Sequence, residues 1–199
     1  MKLTILLTLF VLGSPSWQLE AAERRPAASP PSAAPDASPP STSFVVDRTG
    51  PRVRTADTRV ARVLASGIAR SATFRDVLSR VEKLDVIAYV ELDPGIRDRL
   101  SGAVRWVAAT STFRYVRIVL NPSLPHAQLV ATLAHELQHV SEIGNEPSVV
   151  DPRSLSSFYG RVGTEHGFHS EEWETKLAQD TGYIVIRELA SNRADARGF

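Results

Sequence analysis

Apolar residues recur along this chain with helical spacing in some stretches and strand-like density in others. Val60, Val63, Leu64 and Ile68 lie three and four apart, with Arg59, Arg62 and Arg70 elsewhere around the wheel, which predicts an amphipathic helix. Phe74, Val77, Leu78 and Val81 continue the apolar face after Thr73, which with Asp76 resembles a helix-start signal. The pattern then changes. Residues 86–91, 103–109 and 113–120 are rich in branched and aromatic side chains and read as strands. Asp93-Pro94-Gly95 marks a turn, and Thr110-Ser111-Thr112 is a hairpin-length link.

Helical spacing returns over 125–143. Val130, Ala134 and Leu137 share one stripe, Leu129, Leu133 and Val140 lie beside it, and Gly144 and Pro147 mark its end. Asp151-Pro152 can cap a short helix bearing Leu155, Phe158 and Tyr159. A last helix is predicted over 171–189, with Trp173, Glu174, Leu177, Ala178, Thr181, Ile184, Val185 and Leu189 on one inward face. Glu188 also points inward on that wheel. Helices, strands and helices with short links predict an α+β domain with a small, mostly antiparallel sheet. That sheet should pack on the helix at 125–143, with the C-terminal helix on the other side.

Before residue 44 there is no such pattern. Lys2 precedes a ten-residue run, Leu3 to Leu12, that is half the ~20 residues a membrane span needs and suits a secretory signal peptide. We read residues 1–22 as that signal, with an uncleaved anchor as the alternative. Residues 23–43 are dominated by Pro, Ala and Ser, have almost nothing to bury, and should form an extended tether. The folded domain is therefore expected over 44–199, in a secreted or periplasmic protein with no stable membrane association after signal removal.

Charge narrows the function classes. With 23 basic and 22 acidic residues the chain offers no electrostatic case for nucleic acid or an anionic membrane. It has no cysteine, so disulfides, thiolate metal sites and thiol nucleophiles are excluded, and any metal must be held by His and carboxylate. The specific chemical feature is His135-Glu136-Leu137-Gln138-His139. Histidines four apart on a helix project from the same side, so both imidazoles can reach one Zn²⁺ while Glu136 reaches a water on the metal.

This motif resembles the active-site helix of the zincin metallopeptidases, in which the two histidines bind zinc and the glutamate activates water. The preceding strands are similar to the zincin layout, where an edge strand pairs with extended substrate. Val140-Ser141-Glu142-Ile143-Gly144-Asn145-Glu146 contains no further histidine, which disfavours the metzincin branch. The resemblance is gluzincin-like and implies a third ligand from a glutamate on a later helix. Glu174 fits, because an inward carboxylate is costly without a compensating partner; pairing with an arginine is the alternative. Position 178, where many such families place an aspartate behind a zinc histidine, is alanine, leaving Asp151 and Asp180 as candidates. Trp173-Glu174-Thr175 faintly resembles small secreted bacterial proteins with this motif.

His166 and His169, in a Gly-containing loop, carry two readings: an oxyanion donor or alternative metal ligand, and a polar surface loop. Tyr159 and, from an outer helix face, Tyr183 are candidates for hydrogen bonding to a transition state. The expectation is a secreted zinc peptidase acting on peptide or protein substrates, with His135, His139 and Glu174 on zinc and Glu136 as general base. Its rivals are a non-catalytic zinc-stabilised binding domain and a metal-free interaction module.

Overall fold

The computed structural model describes residues 7–8, 50–96, 100–165 and 172–195. In chain order the elements are β1 (Leu7–Thr8), β2 (Val53–Arg54), α1 (Thr58–Arg70), α2 (Ala72–Val81), β3 (Val86–Leu92), β4 (Gly102–Ala109), β5 (Arg114–Leu120), α3 (His126–Asn145), α4 (Pro152–Val162), β6 (Thr164–Glu165), β7 (Glu172–Glu174) and α5 (Lys176–Asp195). Apart from β1, the expected signal and tether lie outside the described residues, as do His166 and His169.

Local chemistry explains where the first helices begin. The Asp57 carboxylate accepts from Arg59 N at 2.7 Å and Val60 N at 3.2 Å, so α1 starts at Thr58. α2 starts earlier than the Thr73 signal suggests, because Ser71 Oγ accepts from Phe74 N at 2.9 Å and is the true cap. Thr73 instead donates to Glu188 Oε1 at 2.9 Å, and Ser71 Oγ donates to Glu188 Oε2. This gives the inward Glu188 its purpose: α5 uses it to hold the start of α2.

The α+β class is as expected, but the sheet is mixed. Strand order is β2-β3-β5-β4, with β2–β3 and β3–β5 parallel and only β4–β5 antiparallel. The β4–β5 hairpin forms as predicted. The difference lies in which of its strands meets β3. β5 carries buried Val116, Ile118, Val119 and Leu120 on both faces, the signature of an interior strand, whereas the second half of β4 is exposed. β5 therefore inserts between β3 and β4, and the link after β3 crosses its end, with Asp93 N donating to Leu120 O at 3.0 Å. A smaller antiparallel ribbon has the order β1-β7-β6.

α3 is the centre of the domain. Every residue from 129 to 141 is buried, with the sheet on one side and α1, α2 and α5 on the others. The helix runs past Gly144 to Asn145, so that glycine is not its stop. A Cβ there would lie 2.4 Å from Leu84 Cδ1, so glycine is needed for close packing. The end of α3 is held by the buried Arg114 from β5. Its Nη1 donates to Ile143 O at 2.6 Å and Glu146 O at 2.8 Å, and its Nη2 to Gly144 O at 2.8 Å and to Asp85. A cation at the negative end of the helix dipole also gains electrostatically.

The C-terminal helix begins later than predicted and runs past Leu189 to Asp195. Residues 172–174 form a strand, and Thr175 ends it by capping α5: its Oγ1 accepts from Ala178 N and its carbonyl from Gln179 N, both at 3.1 Å. Ala178, Thr181, Val185 and Leu189 are buried as expected, while Leu177 and Ile184 are exposed. Glu174 is thus carried by a strand end and not by a helix.

Arg114→Ala should remove donors from several α3 carbonyls at once and cost about 3 kcal/mol, given about 1.5–3 kcal/mol for a hydrogen bond to a charged group. Urea unfolding followed by circular dichroism measures this; a midpoint unchanged from wild type would refute the clamp.

Candidate metal centre

A helix buried on all sides should be apolar all round, yet α3 carries Thr132, His135, Glu136, Gln138 and His139 in its interior. The i,i+4 spacing brings the two imidazoles together, with His135 Nε2 and His139 Nε2 3.1 Å apart. The end of β7 adds Glu174, whose Oε1 lies 3.3 Å from His135 Nε2 and 3.4 Å from His139 Nε2. All three side chains are shielded from solvent.

His135, Glu136 and His139 form a buried group that could hold a metal ion, with donor atoms within 4.8 Å of one another. Glu174 closes a tighter triangle on the same two nitrogens. Its 3.3 and 3.4 Å spacings are those of donors sharing one zinc at about 2.0–2.1 Å, so it is a further candidate donor. A proton on one Nε2 can join the three atoms by hydrogen bonds, and a cation at their centre would satisfy all three lone pairs at once.

Glu136 differs from Glu174 in its surroundings. Both of its carboxylate oxygens are buried and without a hydrogen-bond partner among the described residues. Burial pushes its pKa up to about 8. The carboxylate lies under the first residue of β4, and a Cβ at Gly102 would come 2.7 Å from Glu136 Oε1 and 2.7 Å from Thr132 Cγ2. Gly102 is the residue that lets the sheet approach this closely.

The other nitrogen of His139 is well supported. Its Nδ1 lies 3.0 Å from Glu142 Oε2 and 3.3 Å from Tyr159 Oη. Thr175 Oγ1 donates to Glu142 Oε1 at 2.8 Å. Tyr159 therefore stands behind the imidazole, away from Nε2, and is not placed where it would meet a transition state. Its burial raises its pKa well above the usual value, so it remains a neutral donor. Tyr183 is exposed, as read from the wheel. Neither Asp151 nor Asp180 approaches the histidines: Asp151 caps α4, and Asp180 pairs with Lys176 on the surface.

Glu142 is the residue sequence reasoning missed. Its signal was present, since it lies three residues after His139 and so on the same side of the helix. In contrast, His135 Nδ1 has no partner among the described residues.

The charges follow from these contacts. Burial pulls the His139 pKa down, but its hydrogen bonds to Glu142 and Glu174 outweigh this and raise it to about 10. Burial lowers that of His135, against its hydrogen bond to Glu174 and with the neighbouring His139 charge adding to the fall. Glu174 is held down at about 2, its own desolvation being outweighed by the hydrogen bonds from the two histidines. No family model, curated protein or solved structure matches this chain.

The alkaline side of the stability profile follows in sign. His139, raised above its ordinary 6.5, stabilises fully below that pH and loses its contribution as pH rises through about 10. Glu136, also raised, costs stability as pH rises from 4.5 to about 8. The melting temperature of the metal-free protein should therefore fall above pH 6.5, while the stabilisation gained on adding a divalent metal should grow, because metal displaces those protons. Thermal scans with and without metal test this, and a metal increment that shrinks with rising pH would contradict it.

Proposed function

We propose that this protein is a secreted zinc-dependent peptidase of zincin-like type, with His135, His139 and Glu174 as zinc ligands and Glu136 as general base. The observation that carries the reading is the size of the triangle. Donors around tetrahedral zinc at about 2.0–2.1 Å are about 3.3–3.4 Å apart. The spacings found here are 3.1, 3.3 and 3.4 Å, from two imidazole nitrogens and one carboxylate oxygen. Such a set leaves a fourth position open, as catalytic zinc sites do and closed structural sites do not.

Zinc, when bound, would lower the pKa of a bound water and polarise a scissile carbonyl. Glu136 supplies the acid–base chemistry. Burial raises its pKa to about 8, and once deprotonated its oxygens, unpartnered among the described residues, can accept the proton of a water beside the triangle and pass it to the leaving amine. Burial keeps bulk water away from that exchange. A peptide substrate is supported by β4, the outer strand of its sheet, which begins at Gly102 directly over Glu136. β1, in the segment read as the signal, lies against β4; with that segment removed, an extended peptide pairing with the outer edge of β4 would run past the base.

Export is the reading of the short apolar run in residues 1–22. No helix among the described residues is long and apolar enough to cross a membrane.

Glu136→Gln keeps the shape but removes the base, so zinc should stay at one per chain while casein hydrolysis falls by about 10²–10⁴-fold. His135→Ala should lose the zinc itself. Metal analysis and a casein assay on the three proteins separate the readings. Zinc without hydrolysis even in wild type would point to a zinc-stabilised binding domain; no zinc in wild type would leave an interaction module. In the same assay Gly102→Ala should depress turnover with zinc content unchanged, since the new methyl displaces the Glu136 carboxylate.

A further inference from the structure

Two ligands of the proposed site come from different elements, α3 and the end of β7, and one pair of side chains joins them behind the metal. Glu142 lies one helical turn after His139, with Oε2 at 3.0 Å from Nδ1. A carboxylate only accepts hydrogen bonds, so Nδ1 must carry the proton. In the neutral ring this leaves the Nε2 lone pair directed at His135 Nε2 and Glu174 Oε1, the arrangement a metal ligand requires.

The other oxygen of Glu142 reaches across to the second element. Oε1 accepts from Thr175 Oγ1 at 2.8 Å, and Thr175 directly follows Glu174. The Thr175 backbone N also donates to Glu174 Oε1 at 2.9 Å, and its Oγ1 caps α5. Glu142 is itself held from a third direction. Gln138 Nε2 donates to Oε1 at 3.4 Å, while Arg80 of α2 donates to Gln138 Oε1 at 2.8 Å and fixes which end of the amide faces Glu142.

We propose that Glu142 and Thr175 are a positioning pair that sets the His139 tautomer and locks Glu174 to α3 in metal-binding register. This rests on the zinc reading above. The pair touches neither substrate nor metal and acts through the two ligands. Among the described residues His135 Nδ1 has no comparable partner, so within that set this pair is what aligns the site.

The test uses the purified full-length protein and Zn²⁺ competed against a chromophoric chelator, with Co²⁺ substitution as a spectroscopic readout of ligand geometry. Glu142→Gln and Thr175→Val should each weaken zinc binding by about 10–100-fold, the usual cost of losing such a partner. Both should also alter the visible cobalt bands. Thr175→Ser, which restores the hydroxyl, should return affinity and spectrum toward wild type even if Thr175→Val folds poorly. In the double variant the losses should be less than additive, because both break one connection. Wild-type affinity and an unchanged cobalt spectrum in folded Glu142→Gln, with loss in Thr175→Val explained by unfolding alone, would overturn the positioning role while leaving the zinc reading intact. Failure of the wild type to bind zinc would overturn both.

Discussion

Three polar atoms from three side chains meet in the interior of this domain. Two imidazole nitrogens and a carboxylate oxygen lie within 3.4 Å of one another, all hidden from solvent. Burying such groups is expensive unless their lone pairs are satisfied. A cation at the centre would satisfy all three, and much of the surrounding structure serves to keep them in place. The sheet and three helices enclose α3, Arg114 holds its end, and Thr175 stops β7 where Glu174 can reach inward.

The site has two sides with different chemistry. Behind His139 lie Glu142, Tyr159 and Thr175, each with hydrogen-bond partners, forming a rigid backing. Glu136 is the opposite case, a buried carboxylate without partners under the start of an outer strand. Satisfied groups orient, whereas an unsatisfied group can take a proton. That contrast assigns Glu136 and Glu142 different roles although both lie on the same helix. Gly102 belongs to the Glu136 side, since the lack of a Cβ there allows β4 to approach the carboxylate.

Much of this was legible in the sequence, for physical reasons that differ by element. The histidine pair and the all-round burial of α3 follow from helical geometry and apolar density. The β4–β5 hairpin follows from its short polar link. Strand order did not, because nothing local says that β5 rather than β4 lies beside β3; only the short apolar run Ile118-Val119-Leu120 in β5 hinted at an interior strand. Glu174 was identified as inward-facing from a helical wheel, yet it sits on a strand. Thr175, a capping residue in the middle of that supposed helix, was the overlooked boundary. Glu142 was passed over because a partner was sought at position 178, where the families that the motif resembles keep one, although a carboxylate one turn after His139 can do the same work.

The central claim is that these three side chains share one zinc ion. Anomalous diffraction at the zinc edge from crystals grown with zinc tests it most directly. The account predicts a single strong peak about 2.0–2.2 Å from His135 Nε2, His139 Nε2 and a Glu174 carboxylate oxygen. No peak between the histidines, or a zinc held there without Glu174, would contradict it.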